Sequence, residues 1–129
     1  MRLLIDSQAL VWAILNDHRL SRTAKRIFRE SRDHELHFSI VSLWELSLKI
    51  TKGKLRPVGS SIGYLHDTLG EYGIQLLPLR YNHILCAESL EPHHRDPLDR
   101  MLIAQAIEEN LRVVTDDAHF RHYPVKVVW

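Results

Sequence analysis

Asp96-Pro97-Leu98-Asp99-Arg100-Met101-Leu102-Ile103-Ala104-Gln105-Ala106-Ile107 runs, a few residues later, into Val113-Val114-Thr115-Asp116-Asp117. Pro97 suits the first turn of a helix, where its missing N–H has no helical partner anyway. Leu98, Leu102, Ile103, Ala106 and Ile107 then recur at helical spacing. Val113-Val114 is a short apolar run of the kind buried on both faces of a parallel sheet. A helix feeding such a strand, with acids at the helix start and the strand end, is the repeating unit of an α/β fold.

The same alternation extends outward. At the N-terminus, Leu3-Leu4-Ile5 is an apolar run closed by Asp6, and a helical pattern over Gln8 to Leu15 follows. Ser21 is a good N-cap for a helix whose stripe is Ala24, Ile27 and Phe28. Leu36 to Ile40 alternates like a strand. Ser42-Leu43-Trp44-Glu45 opens the next helix, which Gly53 ends. Arg56 to Ser61 is turn-like. A helix from Ser61 to Glu71, a strand at Ile74 to Leu77 and a helix near Asn82 to Leu90 come next. Beyond Asp117, the pattern predicts a short helical turn to His122 and a last strand at Val125 to Val128. The expected fold is an α/β sandwich with a mainly parallel sheet.

The chain has 129 residues, 45% hydrophobic and 26% charged, which suits one globular domain. Cys86 is the single cysteine, so no intrachain disulfide or CxxC zinc site can form. The charge at Asp6 comes too early for a signal peptide, and no run is long enough to span a membrane. A cytoplasmic protein without membrane contact is expected. Formal net charge is +1, from 17 basic and 16 acidic residues. If Asp6, Glu45, Asp96, Asp99 and Asp117 share one site, the remainder holds 17 basic against 11 acidic residues. A basic surface around an acidic centre suits a phosphate polymer once cations fill the centre.

In parallel α/β sheets, ligands bind beyond the carboxyl ends of the strands. Asp6 and Asp116-Asp117 end strands there. Glu45, Asp96 and Asp99 start helices on the same edge. Carboxylates packed together repel and raise one another's pKa unless cations offset them. An all-oxygen donor set favours Mg²⁺ or Mn²⁺, whose open positions suit phosphodiester hydrolysis. Each acid also has a structural role open to it. Glu45 can close a capping box on the Ser42 amide. Asp96 can cap the helix that Asp99 favours through its dipole. Asp117 can cap the last short turn. Asp6 is harder to explain this way, since a carboxylate closing an apolar strand needs a partner.

Leu3-Leu4-Ile5-Asp6-Ser7, Ser42-Leu43-Trp44-Glu45, His94 to Ala106 and Val113 to Phe120 resemble the motifs of PIN-domain proteins. Within that family they look like the VapC-like toxins of prokaryotic type II toxin–antitoxin pairs. The motifs keep the family's order and span the chain, the Arg95-to-Ala106 segment being the most specific. The resemblance implies one PIN-like domain over 1–129, a three-layer α/β/α sandwich. It further implies a Mg²⁺-dependent endoribonuclease, Mn²⁺ being a possible substitute, that acts on RNA, meets a cognate antitoxin and forms a homodimer. By the same resemblance Asp6, Glu45, Asp99 and Asp117 are the catalytic acids. Asp117 is favoured over Asp116 because the family places an acid two residues after the threonine. Asp6, Asp99 and Asp117 would hold metal, with Asp96 as an accessory acid. Ser7 and Thr115 would orient carboxylates or water. Relatives more often carry Asp-Thr-His where this chain has Asp6-Ser7-Gln8, which leaves Gln8 without an expected role.

Other residues carry more than one reading. Nine histidines invite a metal reading, but His93 and His94 are adjacent and need not share a ligand geometry; they are solvated loop residues, touch RNA or ligate metal. Arg95 and Arg100 either hold a phosphate or pair with Asp96 or Asp99. Lys49, Lys52 and Lys54 track a nucleic-acid backbone or form a solvated helix face. Trp12 and Trp44 pack on helix faces or stack bases. The Arg56-to-Glu71 stretch serves self-association, an antitoxin groove or an ordinary core helix. Cys86 is read as inert core. An aspartate-nucleophile phosphohydrolase is disfavoured, because Gln8 stands where its second acid belongs. A receiver domain is disfavoured by its missing acid pair. The remaining rival is a non-catalytic RNA- or protein-binding module of the same fold, against which the full acid set argues.

Overall fold

A computed structural model describes residues 1–55, 58 and 61–129. The turn expected at Arg56 to Ser61 therefore lies largely outside the described residues. Five strands among these residues form one sheet: β1 (Arg2–Ile5), β2 (Glu35–Ser39), β3 (Gln75–Leu77), β4 (Arg112–Val114) and β5 (Val127–Val128). All four neighbouring pairs are parallel, in the order β3-β2-β1-β4-β5. The expected mainly parallel sheet is thus wholly parallel among the described residues. Leu3 pairs with Leu36 on one side and Arg112 on the other, which fixes β1 at the centre.

Among the described residues, six α-helices cover the sheet: α1 (Ser7–Ile14), α2 (Arg22–Arg29), α3 (Ile40–Thr51), α4 (Ile62–Tyr72), α5 (Tyr81–Ser89) and α6 (Pro97–Glu109). Successive side chains of a strand point to opposite faces. Leu3 and Ile5 of β1 join a core with α1, α2, α3 and α4, built on residues such as Leu10, Phe28, Leu46 and Leu65. Leu4 joins a second core with Leu102 and Ile103 of α6, Val113 and Phe120. Two cores on opposite faces of a strand buried from Leu3 to Ile5 make the three layers of an α/β/α sandwich.

The caps show why the helices begin where they do. Ser21 accepts from the Ala24 amide at 3.0 Å, and Asp96 accepts from the Leu98 amide at 2.9 Å, as the sequence implied. The third helix differs. It begins at Ile40 with Ser39 as its cap, not at Ser42. Ser42 lies within the helix and buried, its hydroxyl unpartnered among the described residues. The capping box between Ser42 and Glu45 does not form. The β-strand runs directly into the helix, and Ser39, the last strand residue, is already placed to cap it.

Candidate active site

The strand order reverses between β1 and β4, since the chain moves outward to β2 and β3 before returning to β4. A crevice opens at such a switch point, beyond the strands' carboxyl ends. Asp6 follows β1 and caps α1, accepting from the Ala9 amide at 2.7 Å. Its own amide donates to the Val114 carbonyl of β4 at 3.1 Å, which ties the two strand ends together. The Thr115 hydroxyl donates to the other Asp6 carboxyl oxygen. Thr115 is buried, and its oxygen also accepts from the Asp117 amide at 3.1 Å.

A cavity of about 500 Å³ opens over these strand ends. Asp6, Glu45, Asp99, Asp116 and Asp117 all line it. Glu45 arrives on the second turn of α3, its carboxylate accepting from the Ser7 hydroxyl at 2.7 Å. Asp99 arrives on the first turn of α6. Asp96 stands apart: it is exposed, it caps α6, and it does not line the cavity. Lys49, one turn beyond Glu45 on α3, lines the mouth, whereas Lys52 and Lys54 are exposed away from it.

The electrostatics reflect crowding. Burial pushes the Asp6 carboxyl up to about 6 against the hydrogen bonds from Thr115 and Ala9, and the charges of Asp116 and Asp117 add to the rise. Burial, and then the charge of Asp96, push Asp99 up to about 7. Asp117 goes the other way. Burial alone would raise it, but hydrogen bonds from His94 and His119 outweigh that and hold its carboxyl below the ordinary range.

The sequence offers a site role for His94 only as one reading among several, and none for His119. His94 Nε2 donates to Asp117 Oδ2 at 2.9 Å and lies 3.2 Å from Asp99 Oδ2. His119 Nδ1 lies 2.9 Å from Asp117 Oδ1, and its amide donates to the same oxygen. His94, Asp117 and His119 present ligand atoms all within 4.8 Å of one another. His94 is thus half-buried against the acids rather than a solvated loop residue. Nothing in the adjacent pair His93-His94 signals this. The contact depends on residues more than twenty positions downstream.

Three further expectations change. Arg100 neither pairs with Asp96 or Asp99 nor faces the cavity. It donates to the carbonyls of Ala87, Leu90 and Glu91 at 2.9–3.0 Å, and so staples the loop before α6 to that helix. Trp44 is 57% exposed and does not pack, while Trp12 is buried beside Trp129. Cys86 is half-buried on α5 rather than part of either core.

The fold and the site together define a doubly covered parallel α/β domain with a carboxylate-rich cavity at its switch point. The chain belongs to the PIN domain family, whose model matches residues 3–126. Among solved structures, VapBC2 from Rickettsia felis bound to a DNA fragment from their promoter is similar at 16% identity. The match covers 99% of this chain and 98% of that one, with a TM-score of 0.76. FitAcB from Neisseria gonorrhoeae is similar at 18% identity over 98% and 96% of the two chains, TM-score 0.68. FitAB bound to IR36 DNA fragment is similar at 15% identity over 98% and 93%, TM-score 0.70. No curated protein matches the sequence.

Proposed function

We propose that this chain is a Mg²⁺-dependent endoribonuclease, with Mn²⁺ as a substitute ion, and the toxin of a toxin–antitoxin pair. The carrying observation is the convergence of Asp6, Glu45, Asp99 and Asp117 on one cavity. Their donor chemistry fits a hard divalent cation, being carboxylate oxygen throughout. Burial first, and neighbouring negative charge second, displace Asp6 and Asp99 upward, a cost that a bound cation would offset. Asp6, Asp99 and Asp117 would hold the ion, and Asp96 acts as an accessory charge beside Asp99. When bound, such an ion neutralises charge on a phosphate and makes water more acidic.

The protein's own groups supply the rest. Thr115 and the Ala9 amide fix the Asp6 carboxylate at the end of β1. Ser7 engages one oxygen of Glu45 and leaves the other to take a proton from an attacking water. Lys49 places a positive charge at the mouth, where a phosphate must enter.

RNA as substrate, a cognate antitoxin as protein partner and a homodimeric state follow from the likeness of the Arg95-to-Ala106 motif to VapC-like toxins. A cytoplasmic setting follows the same reading; no helix among the described residues is long and apolar enough to cross a membrane. The test is cleavage of a structured RNA with Mg²⁺, with EDTA, and by Asp6→Ala with Mg²⁺. Products are expected in the first case alone. Equal behaviour in all three would leave a non-catalytic RNA- or protein-binding module.

A further inference from the structure

We infer that His94 is a positioning residue that links the acid on α6 to the acid after β4 and sets their orientation for the cation. The inference rests on the nuclease reading for its consequence, but its geometry stands alone. His94 Nδ1 accepts from the Asp96 amide at 3.2 Å. A ring nitrogen that accepts carries no proton, so Nε2 bears it. Nε2 is the atom that donates to Asp117 Oδ2 and approaches Asp99 Oδ2. The tautomer is therefore set by a backbone amide at the cap of α6, and the resulting N–H is directed at Asp117, with Asp99 Oδ2 3.2 Å from the same nitrogen.

The ring cannot easily turn away. Phe120 stands edge-on to it with centroids 6.1 Å apart, and the His119 ring lies at 5.1 Å. The backbone is fixed as well. The His94 amide donates to the Tyr123 hydroxyl at 2.8 Å, and that hydroxyl donates to the Glu91 carbonyl at 2.7 Å. Arg100 holds the carbonyls of Glu91 and its neighbours. Three anchors thus lock a short polar loop around one imidazole. Two carboxylates that would otherwise swing apart under repulsion are drawn toward a shared donor. A carboxylate hydrogen-bonded as Asp117 is, with Asp99 held beside the same donor, is pre-oriented for an ion, which lowers the cost of binding it.

Two experiments decide the role. Long-range ¹H–¹⁵N spectra of the metal-free protein should show His94 as the Nε2–H tautomer, with its signals moved by Asp117→Asn. Mg²⁺ titration, read by the thermal midpoint, should show His94→Ala needing roughly tenfold more Mg²⁺ than the parent. His94→Gln, which keeps an N–H donor, should recover part of that loss. In cleavage assays kcat at fixed Mg²⁺ should fall while KM for RNA holds. An Nδ1–H tautomer, or His94→Ala and His94→Gln both with parental Mg²⁺ requirement, overturns the inference. If the parent cleaves no RNA, the nuclease reading falls, while the tautomer and the Mg²⁺ titration still decide the part played by His94.

Discussion

Asp6 and Asp99 show how a fold can hold acids in a state that water alone would not favour. Both give up their protons at higher pH in the folded protein than in the unfolded chain. Above about pH 7 both are charged in either state, and the folded protein bears the whole penalty. As pH falls from 7 toward 4, the folded state takes up protons that the unfolded chain does not, so stability rises. Asp117, displaced downward, acts only at more acidic pH and leaves this window untouched. Metal-free protein in EDTA should therefore melt at a higher temperature at pH 5 than at pH 8. For Asp6, the more buried group, the gain is on the order of 2 kcal/mol. The rise should shrink in Asp6→Asn. Equal midpoints for the parent at the two pH values would show that the carboxyls are not so perturbed. At this scale the acids were legible, because each closes a strand or opens a helix in a periodic pattern. His94 and His119 were less so, since Asp117, which draws His94 into the site, lies 23 positions away, and nothing local marks the pairing of His119 with the acid two residues before it.

Among the elements, α6 carries the most chemistry in the fewest residues. Its cap, Asp96, bonds the Leu98 amide, and its first turn delivers Asp99 to the cavity. Cap and charge can be separated by substitution. Asn caps as well as Asp, whereas Ala does not. Asp96→Ala should cost about 1 kcal/mol of stability, and Asp96→Asn only a few tenths. Both variants remove the charge beside Asp99, so in both the carboxyl of Asp99 should return toward its ordinary value. Carbonyl chemical shifts of Asp99 across a pH series would measure this, and an unchanged titration in both variants would contradict it. The start of α6 was readable because Asp-Pro is a strong local signal. The start of α3 was misjudged by two residues, because Ser39 and Ser42 offer equal capping chemistry. Only the direct passage from β2 into the helix selects Ser39. The role of Arg100 was equally hidden, since carbonyls have no letter in a sequence.

For the whole molecule, the parallel sheet and its two cores followed from the alternation of apolar runs with helical stripes. The strand order did not, because periodicity says nothing about which strand sits at the centre. That order puts β1 beside β4 and so brings Asp6 to Asp117. If the cavity takes a cation, Mg²⁺ should stabilise the folded state in proportion to the logarithm of its concentration. At a concentration 100-fold above Kd the gain is about 2.7 kcal/mol, several degrees in Tm. Asp99→Asn should cut the increment sharply. A parent midpoint indifferent to millimolar Mg²⁺ would argue against any cation in the cavity.

The place of β4 has one more consequence. It adds to the sheet beside the first strand only after the 111 residues before it have been made, and Asp117 follows it. A nascent chain still threaded through its ribosome holds Asp6 and Glu45 without their opposite wall. The acidic cavity is thus completed only once Thr115 and Asp117, more than a hundred positions beyond Asp6, have emerged.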